Sequence, residues 1–287
     1  MEDYTPADDR ATEAAARRRI ARWNGVAEQY DAFRSSAPSV LPDLLAQLAG
    51  TPIPAHVVDL GAGTGLTTLA WMSRAKRVTG IEPNDDMRRQ AEARLAAVPD
   101  EGRSGARFIA ATAEHTGLPN ACADIVTASQ AFHWMEPVAT LSEVARILRP
   151  GGVFAAYDYD WPPTITPETD LLFHDFMRNL WRIAEARGIA AEPPGWKKTG
   201  HLESMRRSGH FRLTKEIALH GVETGDAERF IGLTLSNVTI HLLAPHALAV
   251  DEMGIATFER DVRRAFDKYG GTGPRWYVSY HVRIGIK

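Results

Sequence analysis

Cysteine is nearly missing from this chain of 287 residues, which holds one, Cys122. A single thiol excludes an intramolecular disulfide and any metal site built from clustered cysteines. Long apolar runs are missing too: no stretch reaches the roughly 18 consecutive apolar residues of a membrane-spanning helix. Nor is there an excess of one charge, since 33 Lys and Arg stand against 36 Asp and Glu for a formal net charge of −3. Proteins that coat nucleic acid or an anionic membrane carry a large positive field, so neither partner is expected, although a local basic groove stays open. The opening residues, MEDYTPADDRATEAAARRR, place acids before bases with no apolar stretch, which does not read as a secretory signal. A cytoplasmic protein is the expectation.

What is present is an ordinary globular balance, 44% hydrophobic and 24% charged. At about 150 residues per domain the length allows one large domain or two modest ones, and a chain of this size buries roughly three quarters of its unfolded surface. Residues 13–30 are rich in arginine and poor in apolar positions, the pattern of a surface helix. A second helix is expected at 38–49, with Val40, Leu44, Leu45 and Leu48 at helical spacing. The TPIP run at 51–54 ends it, because proline breaks a helix and restricts the residue before it. Strands then alternate with helices: strands at 56–60, 77–82, 107–111, 124–129 and 153–157, and helices at 66–76, 85–98 and 141–148. Arg149-Pro150-Gly151-Gly152 reads as a stop and turn after the last helix. That rhythm implies a parallel sheet covered on both faces. Beyond residue 157 it breaks. Two proline-rich turns flank one helix at 171–187, and alternation returns at 211–219. Trp276, Val278, Tyr280, Val282, Ile284 and Ile286 are apolar at every second position, a strand signal, and a helical region at 226–269 lies between the two strands.

Asp59-Leu60-Gly61-Ala62-Gly63-Thr64-Gly65 sits between the first strand and first helix of the alternation. Glycines there let the chain turn tightly and let backbone approach a ligand, while the helix N-terminus behind offers free N–H groups to an anion. Glu82 ends the second strand, about 20 residues on, where an acid can accept hydrogen bonds from both hydroxyls of a ribose. Two nucleoside cofactors use such an arrangement. The dinucleotide fingerprint G-x-G-x-x-G needs a third glycine where this chain has Leu66, so the pattern G-x-G-x-G disfavours NAD and points to S-adenosyl-L-methionine. A nucleotide-dependent oxidoreductase or epimerase, and a non-catalytic cofactor-binding module, stay open as alternatives.

Five motifs carry a resemblance: VVDLGAGTGLTT at 57–68, GIEPNDDM at 80–87, TAEHTGLP at 112–119, ADIVTASQAFHW at 123–134 and SEVARILRPGG at 142–152. In them the chain resembles the class I S-adenosylmethionine-dependent methyltransferases, and more narrowly the type 11 small-molecule branch with its trans-aconitate methyltransferase-like enzymes. The resemblance implies a Rossmann-like α/β fold with a seven-stranded sheet whose last strand is antiparallel; 211–219 and 276–286 fit its last two strands. It implies that Asp59 and the backbone of Gly61, Ala62, Gly63 and Gly65 hold the methionine amino and carboxylate groups. Glu82 would bind the ribose, with Pro83, Asn84 and Met87 beside ribose and adenine. Thr112, Ala113 and Glu114 would reach the adenine edge, Gln130 would join the cofactor set, and Tyr30 and Arg34 would close over the methionine. Gln130-Ala131-Phe132-His133-Trp134 follows the fourth strand at the carboxyl edge, where open α/β sheets bind ligands. His133 is thus the candidate general base, and His133, Trp134, Tyr157 and Trp161 are the candidate substrate contacts. The Asp- or Asn-Pro-Pro-aromatic motif of adenine-N6 DNA methyltransferases does not occur in this segment.

Asp158 and Asp160 read as turn-capping or solvent-facing carboxylates, the remaining histidines lack metal-ligand spacing, and no metal is expected. The expected reaction is in-line displacement on the sulfonium methyl by O, N or C of a small-molecule acceptor, leaving S-adenosyl-L-homocysteine. A carboxylate nucleophile needs no base, whereas a hydroxyl or phenol would use His133. The branch resemblance favours a small carboxylic acid. The aromatics Trp161, Phe173, Phe176, Trp181, Trp196, Trp276 and Tyr277 suit a planar or hydrophobic secondary metabolite instead, and the reading leans that way. Residues 1–54 are expected to cover the cofactor site. Residues 55–287 would form one methyltransferase domain with lid segments at about 158–205 and 221–269.

Overall fold

Two short apolar runs begin the sheet: β1 (Val57–Leu60) and β2 (Val78–Ile81) are buried at every residue, as strands covered on both faces must be. The structure is a computed structural model that describes residues 9–25, 27, 33–35, 37–99, 105–189, 195–236, 243, 250–270 and 273–287. β3 (Ala106–Ile109) lies outside β2, while β4 (Ala123–Ser129) and β5 (Leu148–Tyr159) follow on the other side of β1, all parallel. β6 (Leu213–Thr224) and β7 (Arg275–Ile286) complete the order β3-β2-β1-β4-β5-β7-β6, with β7 antiparallel to both neighbours. The sheet has the expected seven strands. Its order reverses between β1 and β4, which opens a crevice at their carboxyl ends.

Ahead of the sheet run α1 (Asp9–Ala21) and α2 (Val40–Leu48); α3 (Leu66–Ala70), α4 (Asp85–Ala96) and α5 (Pro137–Ile147) connect its parallel strands. Several boundaries differ from the sequence reading, each for a local reason. α3 ends at Ala70 instead of running to 76, because the next amides tighten to the third residue back: Met72 N donates to Leu69 O and Arg74 N to Trp71 O. α5 begins at Pro137, four residues early, since the Glu136 carboxylate accepts from Val138 N and Ala139 N and caps it. Arg149-Pro150-Gly151-Gly152 is not a free turn. Leu148 already pairs with Ala123, and the pairing shifts before Ile125 meets Val153, so these residues lie within the start of β5.

The sheet separates two cores, and a third lies beyond it. On one face Val58, Val126 and Phe154 pack beneath α5 and α7 (His201–Ser208), which contribute Leu141, Val144 and Met205. On the other, Val57, Ile125 and Val153 pack with Leu41 and Leu45 of α2 and with Val278, Val282 and Ile284 of β7. The third core is helical: α6 (Pro167–Ala186), α8 (Ala227–Leu235), α9 (Val250–Met253) and α10 (Ile255–Phe266) enclose Phe176, Phe230, Phe258 and Phe266 around Trp276 of β7. The insertion before β6 and the one before β7 therefore pack on each other. Among the described residues no helix is long and apolar enough to cross a membrane.

Candidate active site

The chain leaves β1 through a loop that only glycine can make. Gly61 has φ +64°, and a Cβ there would stand 2.7 Å from the Ala131 Cβ; at Gly65, φ +86°, it would stand 2.8 Å from the Phe108 ring. The turn brings Gly63 N to 2.8 Å from Glu82 Oε2, while Asn84 N lies 2.8 Å from Glu82 Oε1. Both carboxylate oxygens are thus fixed by backbone donors at the end of β2. Burial raises the Glu82 pKa, and the two amides and Arg88 counter it only in part. Asp59, beneath the loop, accepts from Thr68 Oγ1 and Thr127 Oγ1, each at 2.8 Å, and burial lifts its pKa to about 6.

Above Glu82 opens a cavity of about 770 Å³, within the range of small-molecule and cofactor sites. Gly61, Gly63, Glu82, Pro83, Met87, Thr112, Ala113, Glu114, Gln130 and Trp134 line it, so most of the expected cofactor set converges on one space. Other members of that set do not line it. Ala62 and Gly65 support the loop from behind, and Asp59 is tied to the two threonines. Asn84 uses its whole amide elsewhere: Oδ1 accepts from Asp86 N and Met87 N to cap α4, and Nδ2 donates to Ile20 O and Asn24 Oδ1. With the Gly25 N bond to Asp86, it fastens the end of α1 to the sheet. Arg34 faces the helical bundle, donating to the Tyr159 hydroxyl and Ser236 O with its guanidinium over Trp161. Trp161 stacks on Tyr159 and Phe173, and Tyr157 is buried in the sheet core. Tyr30 lies outside the described residues.

The sequence reading expected the N-terminal segment to cover the site and named Trp196 among the acceptor-side aromatics, but it singled out none of the α1 residues of the far wall. Ala15, Ala16, Arg19, Ile20 and Trp23 of α1 and its C-terminal turn line the cavity, as does Trp196. The α1 residues recur every three or four positions and so share one helical face. That periodicity was readable, but the face mixes alanine, arginine and tryptophan and gives no apolar stripe. Trp196, in the proline-rich turn before α7, is the one of those acceptor-side aromatics that lines this space. Trp23 meets the Trp134 ring edge-on at 5.8 Å, Arg22 lies over the Trp134 ring and Arg19 over Trp196, so aromatic–cation contacts seat α1 on the wall.

His133 is buried and does not line the cavity. Its Nδ1 lies 3.4 Å from Asp158 Oδ1, and burial lowers its pKa against the opposing pull of Asp158. Asp158 is the centre of a buried cluster rather than the surface carboxylate expected. Arg283 Nη1 is 2.9 Å from Oδ2, Lys198 Nζ is 3.1 Å from Oδ1, and His201 Nε2 is 3.9 Å from Oδ2. Burial alone would raise the Asp158 carboxyl, but His133, Lys198 and His201 outweigh it and hold it well below the usual range. His133, Asp158 and His201 bring three ligand-type atoms within 4.8 Å. A divalent ion there would sit against the two fixed cations already neutralising Asp158.

Burial also holds His201 neutral, lowering its pKa to about 4. The unfolded chain takes up that proton first, so stability falls as pH drops from about 6.5 towards 4. His56 (pKa about 4) acts in the same direction and Asp59 in the opposite one, so a difference measurement isolates the effect. Between pH 7 and pH 4 the urea-unfolding free energy of wild type should fall by about 2 to 3 kcal/mol more than that of His201→Asn. Parallel pH profiles for the two proteins would refute this role.

Comparison with known proteins bears on what this cavity holds. Residues 58–156 match the family described as "Methyltransferase domain". A trans-aconitate 2-methyltransferase of Rhodopseudomonas palustris is 35% identical over 195 residues, covering 65% of this chain and 69% of that protein. An uncharacterized methyltransferase of Mycobacterium tuberculosis is 35% identical over 123 residues, 43% of this chain; the chain thus spans about half, 46%, of that relative's length. A solved structure from Anaeromyxobacter dehalogenans, described as a candidate type II methyltransferase, is 26% identical with a TM-score of 0.61, covering 89% of this chain and 98% of that one.

Proposed function

The chain belongs to the class I S-adenosylmethionine-dependent methyltransferases, and from that premise we propose that it moves a methyl group from S-adenosyl-L-methionine to a small-molecule acceptor. The observation that carries the reading is Glu82. Its two oxygens are held by Gly63 N and Asn84 N at the cavity wall, and each keeps a lone pair for a ribose hydroxyl. Met87 and Ala113 offer apolar surface for a base, Glu114 an acceptor for its amine, and Gly61 and Gly63 a close backbone approach without side chains. When bound, S-adenosylmethionine supplies a methyl group on a cationic sulfonium, already a good leaving group. The protein's own task is alignment and exclusion of water, which α1 and Trp196 perform by closing the far wall.

The acceptor reading shifts from a hydrophobic metabolite towards a small acid. Of the aromatics credited to an apolar acceptor, Phe173, Phe176 and Trp276 form the bundle core, Trp161 packs on it, and Trp181 and Tyr277 face solvent. Trp196 alone lines the cavity. A carboxylate nucleophile needs no general base, which agrees with a His133 that is buried and does not line the cavity. Calorimetry with S-adenosylhomocysteine and a mass-shift screen of small acids, phenols and amines test both levels. Binding plus one added methyl on an acid is expected. A protein that binds no S-adenosylhomocysteine refutes the cofactor, and one that methylates only phenols or amines refutes the acid.

A further inference from the structure

Two hydrogen-bond donors on the cavity wall have no acceptor among the described residues. The first is Arg19, whose guanidinium carbon lies 5.2 Å from the centre of the Trp196 ring. Stacking on an indole leaves the in-plane N–H groups directed outward. Its helical neighbours Arg17, Arg18 and Arg22 all have partners, but among the described residues no carboxylate or carbonyl accepts from Arg19. The second is Gln130, in the left-handed region at φ +52°, with its backbone N bonded to Tyr157 O at 2.8 Å. Lys198 Nζ is 3.0 Å from Gln130 Oε1, and because an ammonium only donates, the contact fixes the oxygen towards Lys198. Nε2 is left buried, with two N–H donors and no acceptor among the described residues. A buried donor without an acceptor costs stability, so a place kept this way signals an acceptor that arrives with a ligand.

Both donors hang on one short segment, Arg19 through Trp196 and Gln130 through Lys198. That segment is itself pinned: Trp196 N donates to His133 O at 3.2 Å, and Lys198 Nζ is anchored by Asp158 at 3.1 Å. One free cation plus one neutral amide matches a single negative charge with two acceptor oxygens. We infer that Arg19 and the side-chain amide of Gln130 form a carboxylate-binding site on the Trp196 side of the cavity, with Lys198 as the positioning residue that fixes the direction of the amide. The inference rests on the cofactor reading above. It also moves the cationic contact expected of Arg34 to a different residue. The carboxylate can come from the methionine part of the cofactor or from an acidic acceptor, and the two sources separate by experiment.

Wild type, Arg19→Met and Gln130→Glu are titrated with S-adenosylhomocysteine and with 5′-methylthioadenosine, which keeps the adenosine and sulfur but has no carboxylate. With S-adenosylhomocysteine saturating, they are then titrated with trans-aconitate and with its neutral trimethyl ester. Gln130→Glu keeps the shape and the Lys198 contact while turning the donor into an acceptor. Each variant should lose about 10- to 100-fold in affinity for a carboxylate ligand and less than about twofold for its neutral counterpart. Loss confined to S-adenosylhomocysteine assigns the site to the cofactor; loss confined to trans-aconitate assigns it to the acceptor. Lys198→Met should reproduce part of the Gln130→Glu loss, and Lys198→Arg, which also only donates, should restore it. Arg19→Lys, expected to fall between, serves if Arg19→Met does not fold. Equal S-adenosylhomocysteine affinity in wild type and the Arg19 variants, with no loss for trans-aconitate, overturns the site alone. Wild-type protein that binds neither nucleoside overturns the cofactor reading and this inference with it.

Discussion

Glu82→Ala should lower S-adenosylhomocysteine affinity by about 100- to 1,000-fold, because two hydrogen bonds to a charged acceptor vanish together. The loss has a second source. With the carboxylate gone, Gly63 N and Asn84 N lose the acceptor that now holds the loop and the start of α4 in place. Glu82→Gln should be nearly as severe, since an amide has one acceptor oxygen and must turn a donor towards one of those two N–H groups. The deficit should extend to 5′-methylthioadenosine, unlike that of Arg19→Met, because the ribose is common to both nucleosides. Calorimetry reads the effect, with melting curves to establish that each variant folds. Affinity within about threefold of wild type for both nucleosides would remove Glu82 from the site.

Trp276→Ala should destabilise the protein by about 3 to 5 kcal/mol, the range for truncating a large buried aromatic. Trp276 is 0% exposed at the start of β7, where the sheet meets the helical bundle. Its Nε1 donates to Gly225 O at 3.2 Å, the Arg229 guanidinium lies 4.7 Å from the ring, and Phe230 meets it edge-on at 6.0 Å. A smaller side chain leaves a cavity among α8, α10 and β7 and an unpaired Gly225 carbonyl. The bundle helices α8, α9 and α10 do not line the cavity above Glu82, so S-adenosylhomocysteine affinity of the folded variant should match wild type. Urea unfolding measures the first expectation and calorimetry the second. A loss below about 1 kcal/mol would mean the bundle closes around the gap.

The parallel half of the sheet was legible because each strand is a short apolar run and each turn carries glycine or proline. β7 was legible from strict alternation, and its six inward residues, Trp276 to Ile286, are each at most 5% exposed. Glu82 was legible for a similar reason: its place is set by chain distance from the loop, which backbone geometry alone decides. Residues whose position depends on a distant partner were not. Asn84 stands two residues from Glu82, yet its amide is claimed by Ile20 and Asn24, 64 and 60 residues away. Arg34 sits in a segment resembling a cofactor clamp, but Tyr159, Trp161 and Ser236 draw it to the bundle. Asp158 lies in a tyrosine- and proline-rich run that looks like a surface turn. Only the antiparallel pairing with β7, which lays Arg283 beside it, makes it a buried ion. Arg19 belongs to the same class: it reads as one more surface arginine until the chain lays it over Trp196.

The placement of β7 also sets how the protein must be assembled. β5 and β6 run parallel with one strand's width between them, and β7, which follows both in the chain, fills that slot by pairing with each over a long register. Until it does, β5 and β6 present open edges, and the Asp158 cluster lacks its arginine. Contacts this far apart in sequence form late and slow folding, and exposed strand edges in the interval invite pairing between chains. A growing polypeptide on the ribosome therefore cannot close its sheet before β7 has emerged, and during that wait the edges of β5 and β6 stay open to another strand.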